Sequence, residues 1–256
     1  MKSVSSTLQL TNAMGLVASS KIRRANESMN RARAYRASLK KALSPILSDP
    51  ETLKSPYMQI RQSGKTALIV IAGDRGMAGG YNANVFRLVA SLPESDYLTI
   101  GKRACDRYGK SFISSEKYTM DDAFALADEL CASFASGELD RIGIVYTKYN
   151  SVMSQEAELK WLLPLEPTES SGASSAVFEP DKITVLDLVV REYLAGSIVS
   201  YVRESFACEV SARRMAMDSA GKNAKEMLDN LGLEYNRARQ SAITQEITEI
   251  VAGSGN

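Results

Sequence analysis

The sequence predicts an α/β protein in which two long terminal helices flank a small, mostly parallel sheet. All 7 prolines of the 256-residue chain lie between positions 45 and 180, which leaves both ends free of the residue that breaks helix interiors. Both ends repeat small or apolar residues in steps of three and four, whereas the middle alternates apolar, β-branched runs with amphipathic segments. We therefore expect a first helix within residues 1–48, an α/β domain over 49–180 and a last helix within 181–256.

The first helix has a heptad-like seam with one charged lapse, at Arg36. Its other members are small or apolar, and the charged residues fall mostly off the seam. The seam consists of Leu8, Thr11, Gly15, Ala18, Ile22, Ala25, Met29, Ala32, Arg36, Leu39 and Leu43. Because such small residues bury little area, a hairpin of the two terminal helices alone would be weak, and we expect further partners around it.

The middle segment begins with Thr66 to Ala72, a continuous apolar run typical of a strand buried on both faces. A Gly-rich turn, GDRGMAGG, follows it and leads into an amphipathic helix. We expect further strands at 97–100, 141–147 and 159–165, the last an edge strand closed by Pro164, and a helix at 121–134 with Asp at its start. Residues 166–176 are predicted to be a polar, flexible loop.

The last helix is predicted from about Asp187 to Val251, which makes it roughly 95 Å long at 1.5 Å per residue. Its seam slips by one residue near position 220, a change that alters supercoiling without ending a helix. The seam consists of Leu194, Ile198, Tyr201, Ser205, Cys208, Ala212, Met215 and Ser219, followed by Ala220, Ala224, Met227, Leu231, Tyr235, Ala238 and Ala242. Since the first helix can pair with only part of this length, one end must project or insert into something.

The charge is unevenly distributed along the chain. Residues 1–48 carry nine basic side chains and one acid, a net charge of +8, whereas residues 49–186 come to −5 and residues 187–256 to −2. A strongly basic arm indicates a polyanionic partner, which could be nucleic acid or an acidic protein surface, although a solvated helix face remains the simpler alternative.

The amino-acid composition limits the catalytic and metal-binding chemistry that this chain could perform. The chain has no His, so the commonest general base and the usual nitrogen metal ligand are missing. Its 3 cysteines are scattered without ligand spacing and indicate small core residues in a reducing compartment. No run approaches the roughly 20 apolar residues of a membrane-spanning helix, and residues 1–12 lack the apolar stretch of a secretory signal. We expect the protein to stay in the compartment where it is made, without a catalytic or metal site.

Two Gly-containing motifs could bind phosphate, and neither fits well. Gly64, Lys65 and Thr66 resemble the tail of a phosphate-binding loop, but the required upstream Gly is replaced by Gln59 and the motif precedes its strand instead of following it. GDRGMAGG is better placed, after a strand and before a helix, yet its spacing misses the dinucleotide fingerprint. A tight turn that displays Arg75 to a partner is the favoured interpretation.

Four stretches closely resemble the gamma subunit of F-type ATP synthases, in an order and spacing that cover essentially the whole chain. They are LTNAMGLVASSKIRRA (10–25), GDRGMAGGYNANVFR (73–87), FEPD (178–181) and SARRMAMDSAGKNAKEMLDNLGLEYNRARQSAITQEITEIVAG (211–253). The resemblance implies terminal helices that form an antiparallel coiled coil, with a Rossmann-like α/β domain. It also implies a central rotor shaft that couples ion flow through a membrane ring to conformational change in catalytic beta subunits.

The resemblance further implies contact residues for an acidic lever segment of the beta subunits and for the catalytic ring. They are Met14, Lys21, Arg23 and Arg24 on the first helix, Arg75, Ala78, Gly79, Gly80 and Asn82 in and after the Gly-rich turn, and Arg213, Arg239, Gln240, Thr244 and Glu246 on the last helix. The implied partners are the alpha, beta and epsilon subunits and the membrane c-ring, with no cofactor and no catalytic residue in this chain.

The chain departs from the family pattern in places. Asn12 stands where the family commonly has Lys, and family members usually begin with a further basic helical stretch ahead of the position of Met1. The regulatory cysteine insertion of the chloroplast branch and an organelle transit peptide are missing, so we expect a bacterial protein, peripheral on the cytoplasmic face of the inner membrane.

Two alternatives remain beside the rotor shaft. A basic helical hairpin could bind nucleic acid, but the arm has one aromatic residue, Tyr35, for stacking on bases. An α/β enzyme could bind a nucleotide at GDRGMAGG, which its glycine spacing disfavours. Assembly with alpha and beta subunits would distinguish the three.

Overall fold

Two long helices form an antiparallel pair in the computed structural model, which describes residues 1–61, 65–109, 113–167 and 178–253. Helix α1 spans Lys2–Leu47 and helix α5, the last element, spans Lys182–Gly253. Gly196 of α5 faces Tyr35 and Leu39, whereas Gly221 faces Thr11, so the two helices run in opposite directions. The predicted long helical pair is confirmed.

The seam predicted for α1 is confirmed, because none of its members is exposed. Thr11, Gly15, Ala18 and Ala25 are buried against α5, and at Gly15 an added Cβ would lie 3.6 Å from Cβ of Met217. Small residues therefore bring the two helix backbones close together, as their pattern predicts.

The seam predicted for α5 is correct as far as Ala212 and again at Ala220, Ala224 and Leu231, none of which is exposed. Met215 and Ser219 are exposed, and Met217 and Gly221 are buried in their place. The reason is that residues 194–211 are buried on nearly every side, by α1 on one flank and by the α/β domain on the other. Where a helix is buried all round, apolar residues do not recur at helical spacing. The sequence then does not indicate which residues face α1.

Beyond Gly232, α5 has no neighbouring helix in the part of the chain that the structure describes. Met1 lies beside Gly232, so α1 begins at that level, and every side chain from 233 to 250 is exposed. Tyr235, Ala238 and Ala242, predicted as seam residues, therefore pack on nothing here. Met227, also predicted as a seam residue, is exposed as well.

In the part of the chain that the structure describes, the sheet has four strands in the order β2-β1-β3-β4. Strands β1 (Lys65–Ile71), β2 (Asp96–Ile100) and β3 (Leu139–Tyr149) are parallel, and β4 (Gln155–Leu163) is an antiparallel edge strand. Helices α2 (Tyr81–Ala90), α3 (Lys102–Tyr108) and α4 (Met120–Ala135) connect the strands. The mostly parallel sheet is confirmed, and so are its predicted strands with small shifts at their ends.

Helices cover both faces of the sheet. Ile69 and Ile144 pack in a core shared with α4, α5 and the end of α1, whereas Leu68 and Val70 pack in a second core with Val85 of α2. Burial on both faces explains why β1 is continuously apolar. The sheet lies against α5, beside the helical pair and not between its two members.

Several local features differ from the predictions. Helix α1 continues through Pro45 to Leu47, and α5 begins five residues before Asp187, where the carboxylate of Asp181 accepts a hydrogen bond from N of Thr184. Helix α3 and two short 3-10 helices, Pro50–Lys54 and Pro56–Met58, are unpredicted. Gly64 and most of the polar loop predicted at 166–176 lie outside the described residues.

Candidate partner-binding site

Four predicted contact residues line one cavity of about 310 Å³ between α1, α5 and the Gly-rich turn after β1. Met14 and Lys21 come from α1, Arg75 from the turn and Arg213 from α5. Residues from three distant parts of the sequence therefore meet at one place. The cavity's lining is mainly apolar, and Val17 of α1 and Met77 of the turn remain exposed. A cavity of this size is at the lower end for a ligand site but can accept a large side chain of a partner.

The Gly-rich turn is held by its own polar groups. The Asn82 side chain accepts a hydrogen bond from N of Gly73 at 2.9 Å, and its Nδ2 donates to O of Arg75 at 3.5 Å. Asn82 therefore fixes the start of the turn and leaves Arg75 exposed, with no hydrogen bond or ion pair of its side chain among the described residues. The sequence predicts Asn82 as a contact residue, and the structure gives its side chain a supporting position.

In this turn, the carboxylate of Asp74 occupies hydrogen-bond donors that a bound anion would need. It accepts hydrogen bonds from N of Lys102, Ser115 and Glu116 and from Oγ of Ser114, at 2.6–3.2 Å. Burial would raise the pKa of Asp74, but these hydrogen bonds lower it below its ordinary value. A negative charge fixed here repels phosphate, so the turn is not suited to a nucleotide.

Arg213 is joined to a buried acid. Its Nη2 lies 2.5 Å from Oε1 of Glu209, a residue that is only 2% exposed, and it also donates to O of Gly76 at 3.4 Å. Burial raises the pKa of Glu209, and Arg213 partly opposes that shift. The charge of Arg213 is therefore largely neutralised within the chain, while its Nε, buried, has no hydrogen-bond partner among the described residues.

Lys21 is also paired within the chain. Its Nζ lies 2.5 Å from Oε1 of Glu116, in the segment that Arg203 of α5 holds by donating to the carbonyl oxygens of Glu116 and Tyr118. Arg23 and Arg24, in contrast, are exposed, and within the described residues Arg23 makes one loose ion-pair contact, 3.7 Å to Glu27. In the basic cluster predicted on α1, Arg23 and Arg24 therefore present their charges to solvent, whereas Lys21 is paired within the fold.

Ala78, Gly79 and Gly80 close the Gly-rich turn beside α5. Ala78 is buried with Tyr81 and Cys208, so its side chain faces the core, whereas both glycines are exposed. Gly79 has φ +57°, a conformation that favours glycine. All three line a second cavity, of about 330 Å³, together with Met215 of α5.

The remaining predicted contact residues lie elsewhere. Arg239, Gln240, Thr244 and Glu246 are exposed on the unpaired end of α5. At 1.5 Å per residue, Arg239 lies roughly 39 Å along the helix from Arg213. The predicted residues thus form two surfaces: one around the first cavity, and one on the free helix end.

Sequence reasoning missed the acids that organise the first surface, namely Asp74, Glu116 and Glu209. A signal existed for Glu209, because it precedes Arg213 by four residues, the spacing of a helical ion pair. The other two reach their partners only through the tertiary fold. Within the described residues there is no group of three or more His, Cys, Asp or Glu side chains that could hold a metal ion.

Comparison with known proteins gives a consistent result. A family model described as ATP synthase matches residues 1–255. The ATP synthase gamma chain of Ruminococcus albus is 38% identical over an alignment that covers 100% of this chain and 96% of the relative. The chain belongs to the ATP synthase gamma chain family. The gamma chain of Geotalea daltonii is 36% identical, with 98% of this chain and 94% of the relative covered. The resemblance noted in the sequence is confirmed.

Solved structures confirm the fold expected of this family. The central stalk of the Tetrahymena thermophila mitochondrial ATP synthase matches with a TM-score of 0.64 at 20% identity, covering 82% of this chain and 99% of that chain. A rotor chain of the Euglena gracilis enzyme matches with a TM-score of 0.54 at 16% identity, covering 93% and 99%. Within the described residues of this gamma chain, none of the helices combines the length and the apolar character that a membrane span requires.

Proposed function

We propose that this chain is the central rotor shaft of an F-type ATP synthase, coupling ion flow through a membrane ring to conformational change in catalytic beta subunits. The observation that carries this proposal is the free end of α5, which continues as a single helix for 21 residues beyond Gly232. An exposed helix of that length with apolar side chains needs a surrounding partner. A ring of alpha and beta subunits would supply one.

The chain itself does no chemistry in this proposal. The acids and bases around the first cavity are committed to one another, as Lys21 is to Glu116 and Arg213 is to Glu209. Among the described residues around this cavity, such pairing leaves no nucleophile next to a free base. Catalytic groups, nucleotide and magnesium belong to the neighbouring subunits, and the chain takes no cofactor.

The surface around the first cavity would meet the acidic lever segment of a beta subunit. Arg75, Arg23 and Arg24 supply exposed positive charge, and Met14 supplies apolar contact at the cavity wall. Ala78, Gly79 and Gly80 continue that surface along the turn. Charge complementarity of this kind steers encounter and excludes wrong partners more than it adds affinity.

The second surface would lie inside the catalytic ring. Arg239, Gln240, Thr244 and Glu246 are hydrophilic residues on otherwise exposed turns of α5, where each could form hydrogen bonds with a surrounding subunit. Because the second surface lies at the free end of α5, drive from the membrane ring would enter at the other end of the shaft, through the α/β domain. Coupling between the two is reciprocal, so ATP hydrolysis can drive reverse rotation.

The proposed partners are the alpha, beta and epsilon subunits and the c-ring, with membrane contact only through the complex. The location would be the cytoplasmic face of a bacterial inner membrane. Nucleic acid is not proposed as a partner, since three basic residues of the arm are engaged within the fold: Lys21 with Glu116, Arg33 with Glu204 and Arg36 with Tyr201.

Co-expression with the alpha and beta subunits of the same organism tests the proposal. We expect a complex of fixed stoichiometry whose ATPase activity requires this chain. If no complex forms, and the isolated chain binds DNA or hydrolyses nucleotide, the proposal is wrong. As a control for the basic arm, DNA binding by the full chain is measured at near-physiological salt, where non-specific binding to phosphates is weak.

A further inference from the structure

Arg33 of α1 joins three elements at one level of the helical pair. Its Nη2 donates to Oε1 of Glu204 in α5 at 2.6 Å, and its Nε donates to Oε2 of the same residue at 3.1 Å. The same Nη2 also donates to O of Tyr149, the last residue of β3, at 3.0 Å. Glu204 in turn accepts a hydrogen bond from N of Tyr149 at 3.1 Å. One guanidinium and one carboxylate therefore connect α1, α5 and the sheet.

This junction is built to be rigid. Glu204 is only 2% exposed, and its two oxygens accept three hydrogen bonds from Arg33 and Tyr149. Paired hydrogen bonds between a guanidinium and a carboxylate fix orientation as well as distance, which a single ammonium cannot do. Ala25, Met29 and Ala207 form a small apolar cluster with Tyr149 beside it.

Arg36, one helical turn further along α1, makes a second connection. Its guanidinium lies 4.1 Å from the ring centroid of Tyr201 in α5, and Tyr201 packs on Tyr146 of β3 with a centroid distance of 4.3 Å. Tyr146 donates its hydroxyl hydrogen to Glu158 of β4 at 3.0 Å. The contacts thus continue from α1 through α5 into two strands of the sheet.

We propose that Arg33 and Arg36 are positioning residues that brace the two shaft helices against the α/β domain, so that all three turn as one body. The inference rests on the proposed function, because it assigns the brace a role in transmitting torque. Torque that enters at the α/β domain reaches α1 across α5 and through direct contacts of α1 with that domain, of which the hydrogen bond from Arg33 to O of Tyr149 is one. Without the brace, α1 could slip or twist against α5 along a seam of small residues, which offers little resistance to sliding.

The chain offers a matched control in Arg31. It lies in the same turn of α1 and carries the same charge, but it is exposed and makes no ion pair or ring contact in the described part of the chain. Arg31→Gln therefore removes one positive charge from the arm without touching the brace. Any effect that Arg33→Gln or Arg36→Gln has beyond that of Arg31→Gln belongs to the contacts and not to the net charge.

The measurement is the number of ions pumped per ATP hydrolysed by the complete complex in sealed vesicles. We expect Arg33→Gln and Arg36→Gln to lower this ratio by about two- to tenfold, in complexes of unchanged subunit content. Arg31→Gln should match the wild type, and Arg33→Lys should be intermediate because it keeps the charge but not the double hydrogen bond. A merely structural role would lower the yield of complex and its thermal midpoint and leave the ratio unchanged.

The inference is wrong if the two Gln variants couple as well as Arg31→Gln does. If Arg33→Gln fails to assemble, Arg36→Gln and Arg33→Lys decide, since neither leaves Glu204 without a positive partner. Arg33→Gln combined with Glu204→Gln should be no worse than either single change, because both remove the same contact. A wild-type complex that hydrolyses ATP without pumping would contradict the proposed function, and not the brace.

Discussion

Nζ of Lys21 lies 2.5 Å from Oε1 of Glu116, a residue 95 positions further along the chain. This pair connects α1 to the segment between α3 and α4, and it removes Lys21 from the set of charges that a partner could meet unopposed. The basic arm is therefore partly an internal feature of the fold, and its exposed positive charge is carried by Lys2, Arg23, Arg24, Arg31, Lys40 and Lys41.

Replacing Lys21 by Gln should change the free energy of unfolding by less than about 1 kcal/mol, because both members of the pair are half-exposed and screened by water. Urea denaturation of the full chain measures this. A loss of several kcal/mol would mean that the pair holds the segment around Glu116 in place, a role that we assign to Arg203. Arg203→Gln serves as the comparison and should cost more.

Reversing Arg23 and Arg24 to Glu should reduce coupling between ATP hydrolysis and ion pumping while leaving the fold intact. Both side chains are exposed, so apart from a weak repulsion between the new acid at position 23 and Glu27, the change creates repulsion only toward a partner. Circular dichroism and the pumping ratio of the complex are the measurements. Reversal of Lys40 and Lys41, exposed on the same helix away from the first cavity, is the control. Unchanged pumping in the Arg23 and Arg24 variant would remove these residues from the mechanism.

Asp74→Asn should destabilise the chain by about 1–3 kcal/mol at neutral pH, since a carboxylate that accepts four hydrogen bonds is replaced by a group that cannot. The hydrogen bonds lower the pKa of Asp74 below its ordinary value of 3.8 despite its burial. Its contribution is therefore complete above pH 3.8 and is lost as the pH falls through the lowered pKa.

Unfolding measured from pH 7 to pH 3 checks the expectation for Asp74. The difference between the wild type and Asp74→Asn should shrink toward acid pH. Asp106→Asn, at an exposed site on α3, is the control and should show little difference at any pH. A difference between the wild type and Asp74→Asn that stays constant down to pH 3 would contradict the role of the ionised carboxylate.

Replacing each of two glycines by Ala should change the folding stability in opposite directions. Gly101 has φ +95°, and an added Cβ would lie 1.9 Å from O of Ala72, so Gly101→Ala should cost at least about 1–3 kcal/mol of folding stability. At Gly232 in α5 the nearest atom is 4.0 Å away, so Gly232→Ala should stabilise by about 0.5–1 kcal/mol through helix propensity. The thermal midpoints of unfolding of the two variants test both expectations. A gain at Gly101 would mean that the turn before α3 can move aside.

Ile243, Ile247 and Ile250 form an exposed apolar stripe at helical spacing on the free end of α5. Replacing all three by Gln should leave the isolated chain's stability unchanged and weaken its assembly with alpha and beta subunits, because a stripe of this kind requires cover. Quantitative co-purification measures assembly. Glu249→Gln, on another face of the same turns, is the control. Equal assembly of both variants would show that the stripe contacts no partner.

Much of the fold could be predicted because local patterns dictate it. The apolar run of β1, the capping residues Thr119 and Asp122 of α4 and the proline-free ends each specify an element without help from the rest of the chain. The seam of α1 could be read because one flank of that helix faces water. The seam of α5 at Met215 and Ser219 could not, because the preceding residues 194–211 are buried on nearly every side and show no contrast between faces that would indicate how the seam continues.

The candidate site was predictable only in part. Met14, Lys21, Arg75 and Arg213 could be named from the resemblance, and the structure brings them together. Their internal partners could not be read from one sequence, because pairing of Lys21 with Glu116 depends on how a loop folds over α1. The number of charges in the arm is visible in composition, but how many remain unpaired is a property of the tertiary structure.

The pairing of α1 with α5 ends at Gly232, and this end has a mechanical consequence. The bending stiffness of a rod rises steeply with the distance of its material from the central axis, so two helices joined side by side resist bending far more than one. The molecule is thus a tapered rod, broad and stiff beside the sheet and slender beyond Gly232. Under a sideways load the deflection concentrates in the last turns of α5, while the braced base keeps its shape.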